Sequence, residues 1–91
     1  MTVQLLTAAD ADGSSGTFAL NGSVSVVVSG TWNGATITTQ VSPDGGTTWV
    51  AAGSTTTFTA NGHAVLEGYG LIGRLTISSA GTTELNAWIG Y

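Results

Sequence analysis

Hydrophobic and polar residues alternate along most of this chain. Val24, Val26, Val28 and Trp32 share one parity, with Ser25, Ser29 and Thr31 between them. Leu71, Leu75 and Ile77 share a parity in the same way, and so do Leu85, Ala87, Ile89 and Tyr91. A period of two places such residues on one face of a β-strand, so these are the expected core positions. No segment carries the 3.6-residue period of a helix. Polar punctuation falls at Asp12-Gly13-Ser14-Ser15-Gly16, Asn21-Gly22, Asn33-Gly34, Pro43 to Gly46, Asn61-Gly62 and Ala80-Gly81. Glycine and asparagine reach the positive φ values of tight reversals, so each cluster reads as a turn. About eight strands are predicted between them. They are Val3–Thr7, Thr17–Leu20, Ser23–Trp32, Ala35–Val41, Thr47–Ala51, Thr55–Ala60, His63–Glu67 and Leu71–Ser78, with Thr83–Tyr91 as a further candidate. Short strands with turns about every 8–12 residues indicate an all-β chain, a single small antiparallel β-sandwich or jelly roll. Residues 1–16 read as an N-terminal arm or loop of that one domain.

The opposite parities carry large apolar residues too. Val27 sits among Ser25, Ser29 and Thr31; Ile72 beside Arg74 and Thr76; Trp88 beside Glu84 and Asn86. Apolar residues on a nominal outer face point to a second buried surface, such as a contact between subunits. A small sandwich that exposes a few scattered apolar residues is the simpler reading. Tyr91 follows the last strand directly, and Val3 and Leu5 lie in the N-terminal segment. Trp88, Ile72, Tyr91, Val27, Val3 and Leu5 are therefore the expected interface residues.

Charge strengthens the case for association. Only 7% of the 91 residues are charged, and the net charge is −4. Arg74 is the single cation, against Asp10, Asp12, Asp44, Glu67 and Glu84. One cation cannot neutralise several phosphates, which argues against nucleic-acid binding and equally against an anionic membrane surface. No apolar run approaches the ~20 residues of a membrane helix, and the first residues lack the basic and apolar regions of a signal peptide. A surface with so few charges is weakly defended against association, which suits a protein living in an assembly. With no cysteine, disulfides and thiolate chemistry are excluded.

Candidate chemistry is sparse. His63 directly follows Asn61-Gly62, and no Gly-x-Ser-x-Gly elbow accompanies it, so it reads as a turn residue rather than a general base. Asp10-Ala11-Asp12-Gly13 opens like a calcium loop, but no glutamate stands six residues after the glycine to close it. No cofactor or metal is expected. Trp88, Tyr69 and Tyr91 are the aromatics left for stacking against a sugar.

Ser42-Pro43-Asp44-Gly45-Gly46-Thr47-Thr48-Trp49 is the most specific local signal. Pro43 suits the first corner of a turn, Asp44 can bond nearby backbone N–H groups, and the two glycines supply positive φ. The spacing resembles the Asp-box of sialidase-type propellers. That resemblance implies a surface hairpin held by Ser42, Asp44, Gly46, Thr48 and Trp49, with the indole beneath the loop. A sialidase site needs an arginine cluster, and Arg74 is alone, so the enzymatic part of the resemblance fails. The chain also has room for only about two propeller blades.

A wider resemblance starts at Ser29-Gly30-Thr31-Trp32-Asn33-Gly34-Ala35-Thr36-Ile37 and runs through the Asp-box to Gly68-Tyr69-Gly70-Leu71-Ile72-Gly73-Arg74-Leu75 and the last strand. In its order of turns and strands it resembles small all-β virion proteins of tailed bacteriophages, of the capsid cement or decoration type. This implies a non-enzymatic homotrimer on the phage head, assembled in the host cytoplasm and bridging copies of the major capsid protein. The alternative is a tail- or fibre-associated β module that binds carbohydrate.

Overall fold

The computed structural model describes residues 2–80 and 83–91. Its strands are β1 (Thr2–Ala9), β2 (Gly13–Ser14), β3 (Phe18–Thr31), β4 (Thr36–Ser42), β5 (Val50–Ala51), β6 (Thr57–Phe58), β7 (Gly62–Ser78) and β8 (Glu84–Gly90). A single 3-10 turn, Ser54–Thr56, precedes β6. All pairings are antiparallel and form one sheet in the order β1-β8-β3-β7-β4-β5, with β2 on β7 and β6 on β4.

Two long strands form the spine. β3 has 14 residues and β7 has 17. They pair from Phe18↔Gly73 to Val28↔Gly62. β8 takes the free edge of β3 at residues 25–31, and β4 takes the far half of β7 at residues 72–78. The sheet therefore changes neighbours halfway along its own spine. It bends there, and both halves turn their apolar faces onto one core. The smallest dimension of the molecule is 21 Å, about twice the ~10 Å spacing of stacked sheets, so the continuous sheet closes on itself as a sandwich.

The bend has a local cause. Leu20 pairs Leu71, whereas Gly22 pairs Gly68, so β7 carries an extra residue at Tyr69-Gly70. Such a bulge kinks a strand and reverses its alternation. Leu66 is buried before the bulge, and Leu75 and Ile77 after it, although their parities differ. Gly70, at φ 68°, donates its N–H to Asn21 Oδ1 at 2.7 Å.

The core contains Phe18, Leu20, Val24, Val26 and Val28 of β3, Ile37 of β4, Leu66, Leu75 and Ile77 of β7, and Leu85, Ala87 and Ile89 of β8. The alternation of β3 and β8 is confirmed. Three expected core residues differ. Trp32 is only half-buried, because its indole N–H reaches Asn61 Oδ1 at 2.9 Å near the surface. Leu71 is half-buried beside the bulge, and Tyr91, which follows β8, is 56% exposed.

Several element boundaries differ as well. Asn21-Gly22 is not a reversal, since the Asn21 side chain bonds Gly70 across the sheet and β3 runs through unbroken. His63–Glu67 and Leu71–Ser78 are likewise one strand, joined through the bulge. Thr47–Ala51 shrinks to Val50–Ala51, because residues 43–49 are occupied by their own loop bonds. Thr55–Ala60 shrinks to Thr57–Phe58 after the 3-10 turn. Gly13–Ser14, expected in a loop, pairs with Ile77 and Thr76. Thr2–Ala9, read as part of an arm or loop, is an end strand paired with β8.

Asn33-Gly34 is a reversal, with φ of 44° and 84° and Ala35 N–H donating to Trp32 C=O at 2.8 Å, as a type I′ turn requires. It joins β3 to β4, which are not neighbours in the sheet, so it carries the chain from one half of the sandwich to the other. The Ala80-Gly81 reversal extends outside the described residues.

Candidate interaction surface

The Asp-box residues form a closed set of bonds. Ser42, buried at the end of β4, donates its hydroxyl to Asp44 Oδ1 at 2.9 Å and accepts from Gly46 N–H at 2.8 Å. The same Asp44 oxygen accepts from Thr48 N–H at 2.8 Å. Gly46 sits at φ 106°, where a side chain would be strained, and its carbonyl accepts from Trp49 Nε1 at 3.0 Å. Backbone and hydroxyl donation from Thr48, then from the Ser42 hydroxyl, stabilises the charged carboxylate and holds the Asp44 pKa down at about 2. The ring of bonds fixes Trp49 at the foot of the loop.

Trp49 then meets the outer face of the sheet. The Arg74 guanidinium carbon lies 4.1 Å from its ring centroid, a cation–π contact. Arg74 Nε donates to Gln40 Oε1 at 2.9 Å, across the Gln40↔Arg74 pair. A Cβ built on Gly46 would lie 3.7 Å from both Ile72 Cδ1 and Trp49 Cζ2. Ile72 is therefore half-buried beside the loop of its own chain. The Asp-box residues hold a turn and seat Arg74 against Trp49.

The other half of the sandwich presents a different outer face. Gln4 of β1 pairs Trp88 of β8, Trp88 pairs Val27 of β3, and Val27 pairs His63 of β7. These four residues form a row across four strands. Val65 stands two residues beyond His63 on the same face and is 57% exposed; Val27 is 38% exposed and Trp88 half-buried. Between them lie Ser25, paired with Val65, and Gly90, which adds no side chain. The result is an apolar strip among small polar residues.

The six expected interface residues thus separate. Val27 and Trp88 come together in this strip. Val3 pairs Ile89 and is 40% exposed at the sheet's end strand, while Leu5 packs against the core margin. Tyr91 lies one residue past β8. Ile72 lies on the other half, by the Asp-box. Val65 was missed by sequence reasoning, and its only signal was an apolar residue at odd parity beside His63 and Glu67.

The remaining chemical candidates stay apart. His63 is exposed within the apolar row. Asp12 accepts a hydrogen bond from Ala80 N–H at 2.7 Å, and Glu67 accepts one from the Ser23 hydroxyl at 3.1 Å. Among the described residues, no group of three or more His, Cys, Asp or Glu side chains gathers to hold a metal, and no helix is long and apolar enough to cross a membrane. Tyr69, on the bulge, is 74% exposed. No protein-family model, curated protein or solved structure matches this chain, so its function has to be argued from its own residues.

Proposed function

We propose that this chain is a non-enzymatic structural protein that works by binding other protein surfaces, and that it serves as a capsid cement protein of a bacteriophage head. The observation that carries the proposal is the strip of Trp88, Val27 and Val65 on the outer face of β8, β3 and β7. Apolar side chains grouped on a charge-poor face favour a protein partner over solvent. The resemblance in turn order supplies the setting, with the major capsid protein as partner and a homo-oligomer as the working form. Its action would be linkage: a protein that binds only the assembled shell stabilises that shell by its binding free energy.

Co-sedimentation tests this. The chain is mixed with expanded shells assembled from a tailed-phage major capsid protein. Pelleting with the shells, lost in Val27→Lys without a change in melting, supports the proposal. Absence of pelleting removes it. A second reading, a carbohydrate-binding tail or fibre module, rests on the 74% exposure of Tyr69 at the bulge. Saturable change in aromatic fluorescence on titration with host glycans, abolished in Tyr69→Ala, would favour that reading instead.

A further inference from the structure

We propose that β1 is the self-association strand of this protein: a second copy lays its own β1 antiparallel along the open edge, across a two-fold axis, and joins two sheets into one. This goes beyond the structural reading above and replaces the trimer that the resemblance implies with a two-fold dimer.

β1 ends the sheet. It pairs with β8 on one side, and among the described residues no strand pairs with its other side. An open edge presents backbone N–H and C=O groups to any extended chain, and natural proteins blunt it with charged residues such as lysine, with proline, or with bulges that twist it away. β1 has no charged residue and no proline. Its sequence, Thr2-Val3-Gln4-Leu5-Leu6-Thr7-Ala8-Ala9, is uncharged throughout. Two irregularities interrupt its register with β8, between Gln4 and Leu6 and between Leu6 and Ala9. Ala8 has φ 46° and gives its N–H to Asn86 Oδ1 at 3.0 Å, which ends the extended edge. Within residues 2–7 the edge is regular over Thr2 to Gln4 and resumes at Leu6 after one extra residue.

The occupant follows from charge and symmetry. Copies of a chain with net charge −4 repel unless they meet away from their carboxylates. β1 carries no carboxylate. Among the described residues, the first half of β7, residues 62–68, pairs only with β3, but it holds Glu67. Two copies meeting there would bring like charges together. An antiparallel strand pairs with itself about a two-fold axis, and such an isologous contact closes at a dimer. The contact is also continuous with the apolar row. Gln4 is the β1 member of the row that runs through Trp88 and Val27, so joining two copies at β1 sets two rows end to end on one face.

Sedimentation velocity of the full chain, from low micromolar to millimolar concentration, tests the inference. A monomer–dimer equilibrium is expected, with amides of residues 2–7 exchanging more slowly as concentration rises. Val3→Lys places an ammonium on the edge and should weaken the dimer about tenfold or more. Thr59→Lys, exposed between β6 and β7 and away from β1, should leave it unchanged. A monomer at every concentration overturns the inference. So does a trimer, or a dimer whose β1 amides exchange independently of concentration. If Val3→Lys melts early, the exchange data on the unaltered chain decide alone. A dimer that ignores capsid shells keeps this inference and ends the cement reading; a monomer that pellets with shells does the reverse.

Discussion

The Phe18 ring occupies the space over Gly73 in which any other residue would place its Cβ. The two are direct partners in the β3–β7 register, and both are buried. An aromatic ring laid over a cross-strand glycine fills the gap that the missing side chain would leave. The pair sits where β7 passes from β3 to β4, so it closes the bend of the sheet.

Gly73→Ala should therefore destabilise the fold by about 1–3 kcal/mol, because the new methyl displaces the Phe18 ring within a packed core. Urea unfolding measures this. Gly73→Ala combined with Phe18→Leu should recover part of the loss, since the smaller side chain frees the space. Equal stability of Gly73→Ala and the unaltered chain would mean the ring is not seated there.

Asp44 makes a pH-dependent contribution. Its folded pKa of about 2 lies below the ordinary carboxylate value of 3.8. Stability from the ionised group is therefore fully present above pH 3.8 and is lost as pH falls toward 2. Melting temperature should drop between these values, and Asp44→Asn should flatten that drop. At neutral pH, Asp44→Ala should melt below the unaltered chain, with greater exposure of Trp49 to a fluorescence quencher. An acid limb of the same size in Asp44→Asn would assign the drop to other carboxylates.

Among the described residues, the buried hydroxyl of Thr39 has no hydrogen-bond partner. The other buried hydroxyls are bonded: Ser42 within the Asp-box, Thr56 to Gly53 C=O at 3.3 Å and Thr83 to Ala9 C=O at 3.0 Å. Desolvating a hydroxyl without a bond costs about 1–3 kcal/mol on protein scales. Thr39→Val keeps the shape and removes the cost, so it should raise stability by about 1–2 kcal/mol. Chemical denaturation checks the sign, and a less stable variant would refute it.

Asn61 holds the end of β3 from a distance. Its Oδ1 accepts from Gly30 N–H at 3.0 Å and from Trp32 Nε1 at 2.9 Å. Asn61→Ala should cost about 1–2 kcal/mol and shift Trp32 emission to the red as the indole loosens. Asn61→Asp retains an acceptor and should lose less.

How much of this was legible in the sequence varied from one segment to another. Residues 42–49 were readable as a turn, because every partner in the loop lies within a few positions. The inward faces of β3 and β8 were readable from alternation alone. Asn21-Gly22 misled because the same dipeptide that suits a tight turn here bridges to Gly70, which is remote in sequence. Trp32 was placed in the core on parity, yet its indole N–H required a surface partner. Val27 and Trp88 could each be suspected from their parity. Their meeting could not, because it depends on β8 lying between β1 and β3, an order fixed by pairing across the whole chain.

The pairing of β1 with β8 also sets a timetable. Residue 3 meets residue 89, so β1 waits for its partner until β8 has been synthesised. Closing so long a loop costs entropy before any ladder bond repays it, and topologies built on such distant pairs fold in milliseconds to seconds. During that interval Val3, Leu5 and Leu6 have no β8 to cover them. Neighbouring nascent chains expose the same uncharged strand at the same time. Dilution and low temperature during expression should therefore govern the yield of folded protein as strongly as its final stability does.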